Sequence, residues 1–147
     1  MTQQSDNAET ADRLSGRRVS LMIGLAFIFL SQQAAFFSRP ETGRFVDQVR
    51  AGAWVFLAAV LLAIVMTGGF WLRARAVRAL MEDEVTRANR ASAISFAFAT
   101  TMIAAIVLYV FLPLLALDSR ATIHVLVSIG LISAMIRFAV LERRALG

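Results

Sequence analysis

Few side chains in this sequence are equipped for chemistry, and they fall into three groups. The first is Glu82, Asp83 and Glu84, three consecutive carboxylates with Arg78 and Arg87 on either side. Clustered carboxylates can take a divalent cation or a basic patch on another protein. The second is His124, the sole histidine, whose imidazole could ligate a haem iron. The third is a set of small polar residues in apolar surroundings, Gln32, Gln33, Thr100, Thr101 and Ser128, which with His124 could line a path for a small solute between protomers.

Geometry and composition narrow these options. Consecutive residues on a helix point in different directions, and Arg78, Arg87 and Arg90 compete for the acidic triplet, so the expectation is a partner-docking surface and no metal site. A haem held by His124 would need a second ligand such as Met, because the chain has no other histidine. With no cysteine there is no disulfide, thiolate ligand or thiol nucleophile. Neither a phosphate-binding Gly-rich loop nor a nucleophile with its base is present, so no catalytic residue and no cofactor are assigned.

The elements that must position these residues follow from hydropathy. With 59% hydrophobic residues and a mean hydropathy of +0.69, the chain exceeds what a soluble domain of this size buries in one core. Apolar runs of roughly 18 residues or more, enough to cross a ~30 Å hydrocarbon layer as helix, occur four times: 19–37, 51–72, 91–117 and 122–141. They lack the alternation of barrel strands, and backbone amides in lipid must be satisfied within the segment. The expected fold is therefore all-α, an integral membrane four-helix bundle forming one domain over 17–147. No acidic residue lies within those four spans.

Every basic residue except His124 is an arginine, and the arginines set the orientation. Eleven lie before helix one, between helices two and three, or in and after helix four; the other four are Arg39, Arg44, Arg50 and Arg120. Since basic residues gather in cytoplasmic segments, both termini are expected in the cytoplasm, with a short helical hairpin over 73–91 on the same side. In it helix two continues through RARAVRAL, the chain turns near Met81, Glu82 and Asp83, and Asp83 pairs with Arg87 at i, i+4. The charge pattern points to anionic lipid headgroups, not nucleic acid, because the arginines flank apolar spans and are not interleaved with aromatics in a groove. Arginine without lysine, with much alanine, fits a high-GC bacterial genome and hence a bacterial inner membrane.

The segments outside and at the ends of the spans have their own readings. Residues 1–16, MTQQSDNAETADRLSG, have too few large apolar side chains to offset the entropy of ordering and are expected as a disordered cytoplasmic tail. Arg17 and Arg18 open an apolar run that lasts to Phe37, longer than the ~7–15 residues of a cleavable signal, so helix one is an anchor. Ser31, Gln32 and Gln33 near its outer end, and His124 near the start of helix four, fit the membrane interface. Arg137 is placed to snorkel towards the cytoplasmic surface. Small residues every four positions, Ala59, Ala63 and Thr67 in helix two and Ala93, Ala97, Thr101 and Ala105 in helix three, predict that these two helices pack together. Gly130 and Ala134 make one such step in helix four. Gly68 and Gly69 loosen helix two, and Pro113 kinks helix three.

In length and helix count the chain is similar to the small multidrug resistance transporters, which work as dimers. That family relies on a glutamate in its first helix, and VSLMIGLAFIFLSQQAAFF has none, so no site residue carries over. The function expected from the residues is that of a small inner-membrane protein without catalysis. It is an accessory or regulatory subunit that docks a membrane or cytoplasmic protein, or another copy of itself, through Arg78, Glu82, Asp83, Glu84 and Arg87. The rival expectations are an oligomeric channel or facilitator using Gln32, Gln33, Thr101 and His124, and a haem-associated subunit using His124.

Overall fold

The structure is a computed structural model that describes residues 2–38, 45–68, 84–115 and 117–145. Among these, the regular elements are the helices α1 (Thr2–Phe37), α2 (Phe45–Thr67), α3 (Glu84–Leu115) and α4 (Ser119–Ala145), with no strand. Each contains a stretch apolar enough to cross a membrane, with mean hydropathies of 1.7, 2.3, 2.3 and 2.0 in chain order. At 1.5 Å per residue α3 is about 48 Å long, so it outreaches a ~30 Å hydrocarbon layer.

One spacing decides which face α1, α2 and α4 bury. α1 buries Val19, Met22, Ala26, Phe29 and Gln33; α4 buries His124, Ser128, Leu131, Met135, Phe138 and Glu142. α2 buries Ala58, Leu61 and Val65, with half-buried Trp54 one step earlier. The steps alternate between three and four residues, the repeat that keeps one stripe of a slightly under-wound helix against its neighbour. Phe29, Leu61 and Met135 are the largest fully enclosed side chains. The opposite faces carry exposed Phe27, Leu30, Phe56, Phe98, Ile106 and Ile136, a distribution suited to a hydrocarbon surround.

The central helix is α4. It packs along α3 and α1 and more briefly against α2, whereas α2 and α3 scarcely meet. This corrects the expected pairing of helices two and three. The Ala93–Ala97–Thr101 stripe does admit a close neighbour, but that neighbour is α4, to which α3 is tied by a connection of only three residues. A Cβ added to Gly130 would lie 2.8 Å from Thr101 Oγ1, so with Thr101 in this position the crossing of α3 and α4 favours glycine. In α2 it is Ala58, not Ala59, that enters the core. An apolar cleft of about 580 Å³ is left between α2 and α3 over α4.

The helix ends have local causes. Asp118 caps α4: its Oδ1 accepts from the Ala121 amide at 2.7 Å, and its carbonyl accepts from the Thr122 amide at 3.0 Å. Arg143 and Arg144 complement the other end of the α4 dipole. Gly68, with φ 69°, takes the left-handed conformation that stops α2 at Thr67. Pro113 falls two residues before the end of α3. Several helices extend past their apolar runs, most of all α1, which continues through the residues expected as a disordered tail. Gln, Ala, Glu, Arg and Leu there are good helix formers joined to a helix already nucleated by the apolar span. Most of the expected hairpin, including Arg78, Glu82 and Asp83, lies outside the described residues.

Candidate functional site

One stripe position from each of α1, α2 and α4 meets at one end of the bundle: buried Gln33, half-buried Trp54 and buried His124. His124 is only 3% exposed. Its imidazole is stacked between the rings of Phe36, 3.9 Å away and inclined by 13°, and Trp54, 4.1 Å away and inclined by 22°. Phe37 meets it edge to face at 5.8 Å and packs the same way on Phe36 at 5.3 Å. This histidine, expected at the membrane interface, is enclosed within the bundle by adjacent aromatic residues at the end of α1 and by Trp54 of α2.

The polar edge of the ring is satisfied across helices. Gln33 Nε2 donates to the Phe29 carbonyl at 3.0 Å, which turns Oε1 of the same amide towards His124 Nε2. Since an amide oxygen can only accept, the imidazole nitrogen facing it carries the proton. Gln33 therefore links two helices. Ser128 Oγ donates to the His124 carbonyl at 2.7 Å, one turn along the same helix. The expected haem ligand is an imidazole whose Nε2 is engaged by Gln33 and whose faces are covered by Phe36 and Trp54.

Beside this cluster, between α1 and α2, lies a recess of about 220 Å³ lined by Gln32, Ala35, Phe36, Arg50, Ala53 and Trp54. Arg50 Nη1 contacts Asp47 Oδ1 at 3.4 Å, three residues earlier on α2. The Trp54 indole N–H is buried without a hydrogen-bond partner among the described residues, an arrangement tryptophan seldom adopts because its one donor is costly to desolvate. Phe45, Val46 and Val49 form an exposed apolar patch at the start of α2.

The other polar candidates are dispersed. Thr100 and Thr101 turn their hydroxyls to the carbonyls of Phe96 and Ala97 on their own helix, at 2.9 and 2.8 Å. Thr101 sits against Gly130, two residues along α4 from Ser128. Gln32 is exposed on the recess. Of the docking residues, Glu84 and Arg87 are exposed in the first turns of α3.

A second buried polar cluster, missed in the sequence, occupies the opposite end. Because α4 continues to Ala145, it includes Glu142, 4% exposed, whose Oε1 accepts from Asn89 Nδ2 at 3.3 Å. A carboxylate thus enters the helical core one residue past the predicted fourth span. Thr86 is buried on the same face of α3 as Asn89. Arg137 lays its guanidinium over the Phe96 ring at 5.4 Å, a cation–π contact, with its Nε enclosed and without a hydrogen-bond partner among the described residues. The signal for Glu142 was its place in the three-and-four spacing after Met135 and Phe138. No group of three metal-ligating side chains occurs among the described residues.

No protein-family model, no curated protein and no solved structure matches this chain, so its function has to be read from its own residues.

Proposed function

We propose that this protein is a non-catalytic accessory or regulatory subunit of a bacterial inner membrane, with both termini in the cytoplasm, which docks a protein partner on the segment 73–91. The observation that carries the proposal is the start of α3. Thr86 and Asn89 face inward, and Asn89 is held by Glu142 of α4. Glu84, Val85 and Arg87 on the other face are exposed on a helix that extends past its apolar run. A rigid helix anchored on one side and charged on the other offers a preorganised polar surface, which lowers the ordering cost of docking. The eleven-to-four division of arginines supports the orientation.

Two experiments test it. Single cysteines at Ala79 and Thr42 should react with a membrane-impermeant thiol reagent from the cytoplasmic and periplasmic sides respectively; labelling of Thr42→Cys from the cytoplasm would reverse the topology. A mild-detergent purification of the intact protein should retain a defined second protein, and the combined changes Glu82→Ala, Asp83→Ala and Glu84→Ala should release it. Purification of a homo-oligomer alone in both forms would reduce the segment to a connector.

A further inference from the structure

A guanidinium keeps its charge in a protein, and inside a hydrocarbon layer it needs an anion or water within reach. Arg137 lies within the apolar run 122–141 and is half-buried. It rests on the Phe96 ring of α3 at 5.4 Å, and among the described residues no hydrogen bond or ion pair engages its guanidinium. We infer that Arg137 and Phe96 seat the phosphate of one anionic phospholipid, in the leaflet at the Glu142 end, so that the membrane supplies the counter-ion. The inference rests on the membrane-spanning character of the four helices and is independent of partner docking on 73–91.

The acceptors on α3 and α4 are turned elsewhere or distant. Glu142, five residues further along α4, is rotated about 140° from Arg137 around the helix axis, and its Oε1 accepts from Asn89. Glu84 is twelve residues before Phe96, about 18 Å along α3. Ser133, one turn before Arg137, directs its hydroxyl to the carbonyls of Ile129 and Gly130 at 2.6 and 3.1 Å.

Chemistry and depth select a lipid phosphate. The Phe96 ring attracts the cation but leaves its in-plane N–H donors in need of an oxygen. Nε is enclosed, so the two terminal nitrogens present the fork, and phosphate oxygens match it. Arg137 stands four residues, about 6 Å, inside Leu141, the last residue of the apolar run, a depth that an arginine stem spans to reach the headgroup layer. Phe96 and, on the next turn of α4, Val140 are exposed apolar surface for the acyl chains. Arg144, two turns further on the same face of α4, and its neighbour Arg143 are exposed at headgroup level and favour an anionic lipid over a zwitterionic one. A carboxylate on a partner helix would have to be desolvated to reach the same place, whereas lipid phosphates already lie at that level.

Native mass spectrometry of the full chain, delipidated in detergent and titrated with palmitoyl-oleoyl phosphatidylglycerol or its phosphatidylcholine counterpart, tests this. Phosphatidylglycerol should bind the unaltered chain more tightly than phosphatidylcholine. Arg137→Gln should weaken the first phosphatidylglycerol step about fivefold, the factor expected of one arginine near a phosphate. Arg143→Gln, on another face at the same end, should change it by less. Phe96→Leu, at a half-exposed site, should weaken it too and keeps the test decisive if Arg137→Gln fails to fold. Excess inorganic phosphate should leave the lipid bound. Equal affinity for the two lipids, or a first step indifferent to Arg137→Gln and Phe96→Leu, would overturn the proposal. So would displacement by inorganic phosphate, which would make the ligand a free oxyanion. Unchanged lipid affinity with loss of a co-purifying protein in Arg137→Gln would also overturn it, by giving the counter-ion to a partner's carboxylate.

Discussion

The two ends of the bundle bury polar groups by different means. At one end an imidazole is enclosed by three aromatic rings and bonded to an amide from another helix. At the other a buried carboxylate takes an amide from α3, while Arg137 rests on an aromatic face. The first cluster joins α1, α2 and α4; the second joins α3 to α4. A polar group with a matched hydrogen-bond partner can be enclosed at modest cost, whereas a carboxylate needs charge-assisted bonds or water close by. The His124 end therefore works as a lock between helices, and the Glu142 end as an anchor for a helix that continues outward.

Mutation can separate the two roles, and the lock should be the more sensitive end. His124→Ala leaves a space between Phe36 and Trp54 and strands the Gln33 oxygen, so it should cost about 3 kcal/mol in detergent unfolding. A loss below ~1 kcal/mol would mean that the cluster locks nothing. Next comes the crossing between the two ends. Gly130→Ala forces a methyl against Thr101 Oγ1 and should cost about 2 kcal/mol despite alanine's better helix propensity. Adding Thr101→Ala should recover most of the loss, and strict additivity of the two changes would refute the contact.

Gln33→Leu alone should cost about 1.5 kcal/mol by leaving the imidazole N–H unpaired. Combined with His124→Phe it should cost less than either single change, because both partners then become apolar. The smallest effect is expected at the anchor. Glu142→Gln keeps an oxygen that can accept from Asn89 and should cost below about 1 kcal/mol, checked by the same unfolding midpoint.

The four spans were legible because a long apolar run has one stable form in lipid, and Phe37 ends both the predicted and the observed first helix. The packing partners were not, since a stripe of small residues states that something comes close without naming it. Thr101 could have met any helix; the short connection at 116–118 decided for α4. The enclosure of His124 and Gln33 within the bundle was not read, because polarity near a span end usually means water. Their positions in the alternating three-and-four stripes, Phe29 to Gln33 and His124 to Ser128, carried the signal for it. Glu142 was lost because hydropathy fell at Leu141, although hydrogen bonding carries the helix on to Ala145.

The division of stabilisation and docking between the two ends can be tested in living cells with a photo-crosslinking amino acid in place of Arg87. The expected result is one discrete adduct with a different protein. That adduct should persist in the Gln33→Leu, His124→Phe variant and disappear when Glu82, Asp83 and Glu84 are all changed to alanine. Adducts formed only between copies of this chain, or a partner adduct indifferent to the three carboxylates, would contradict it.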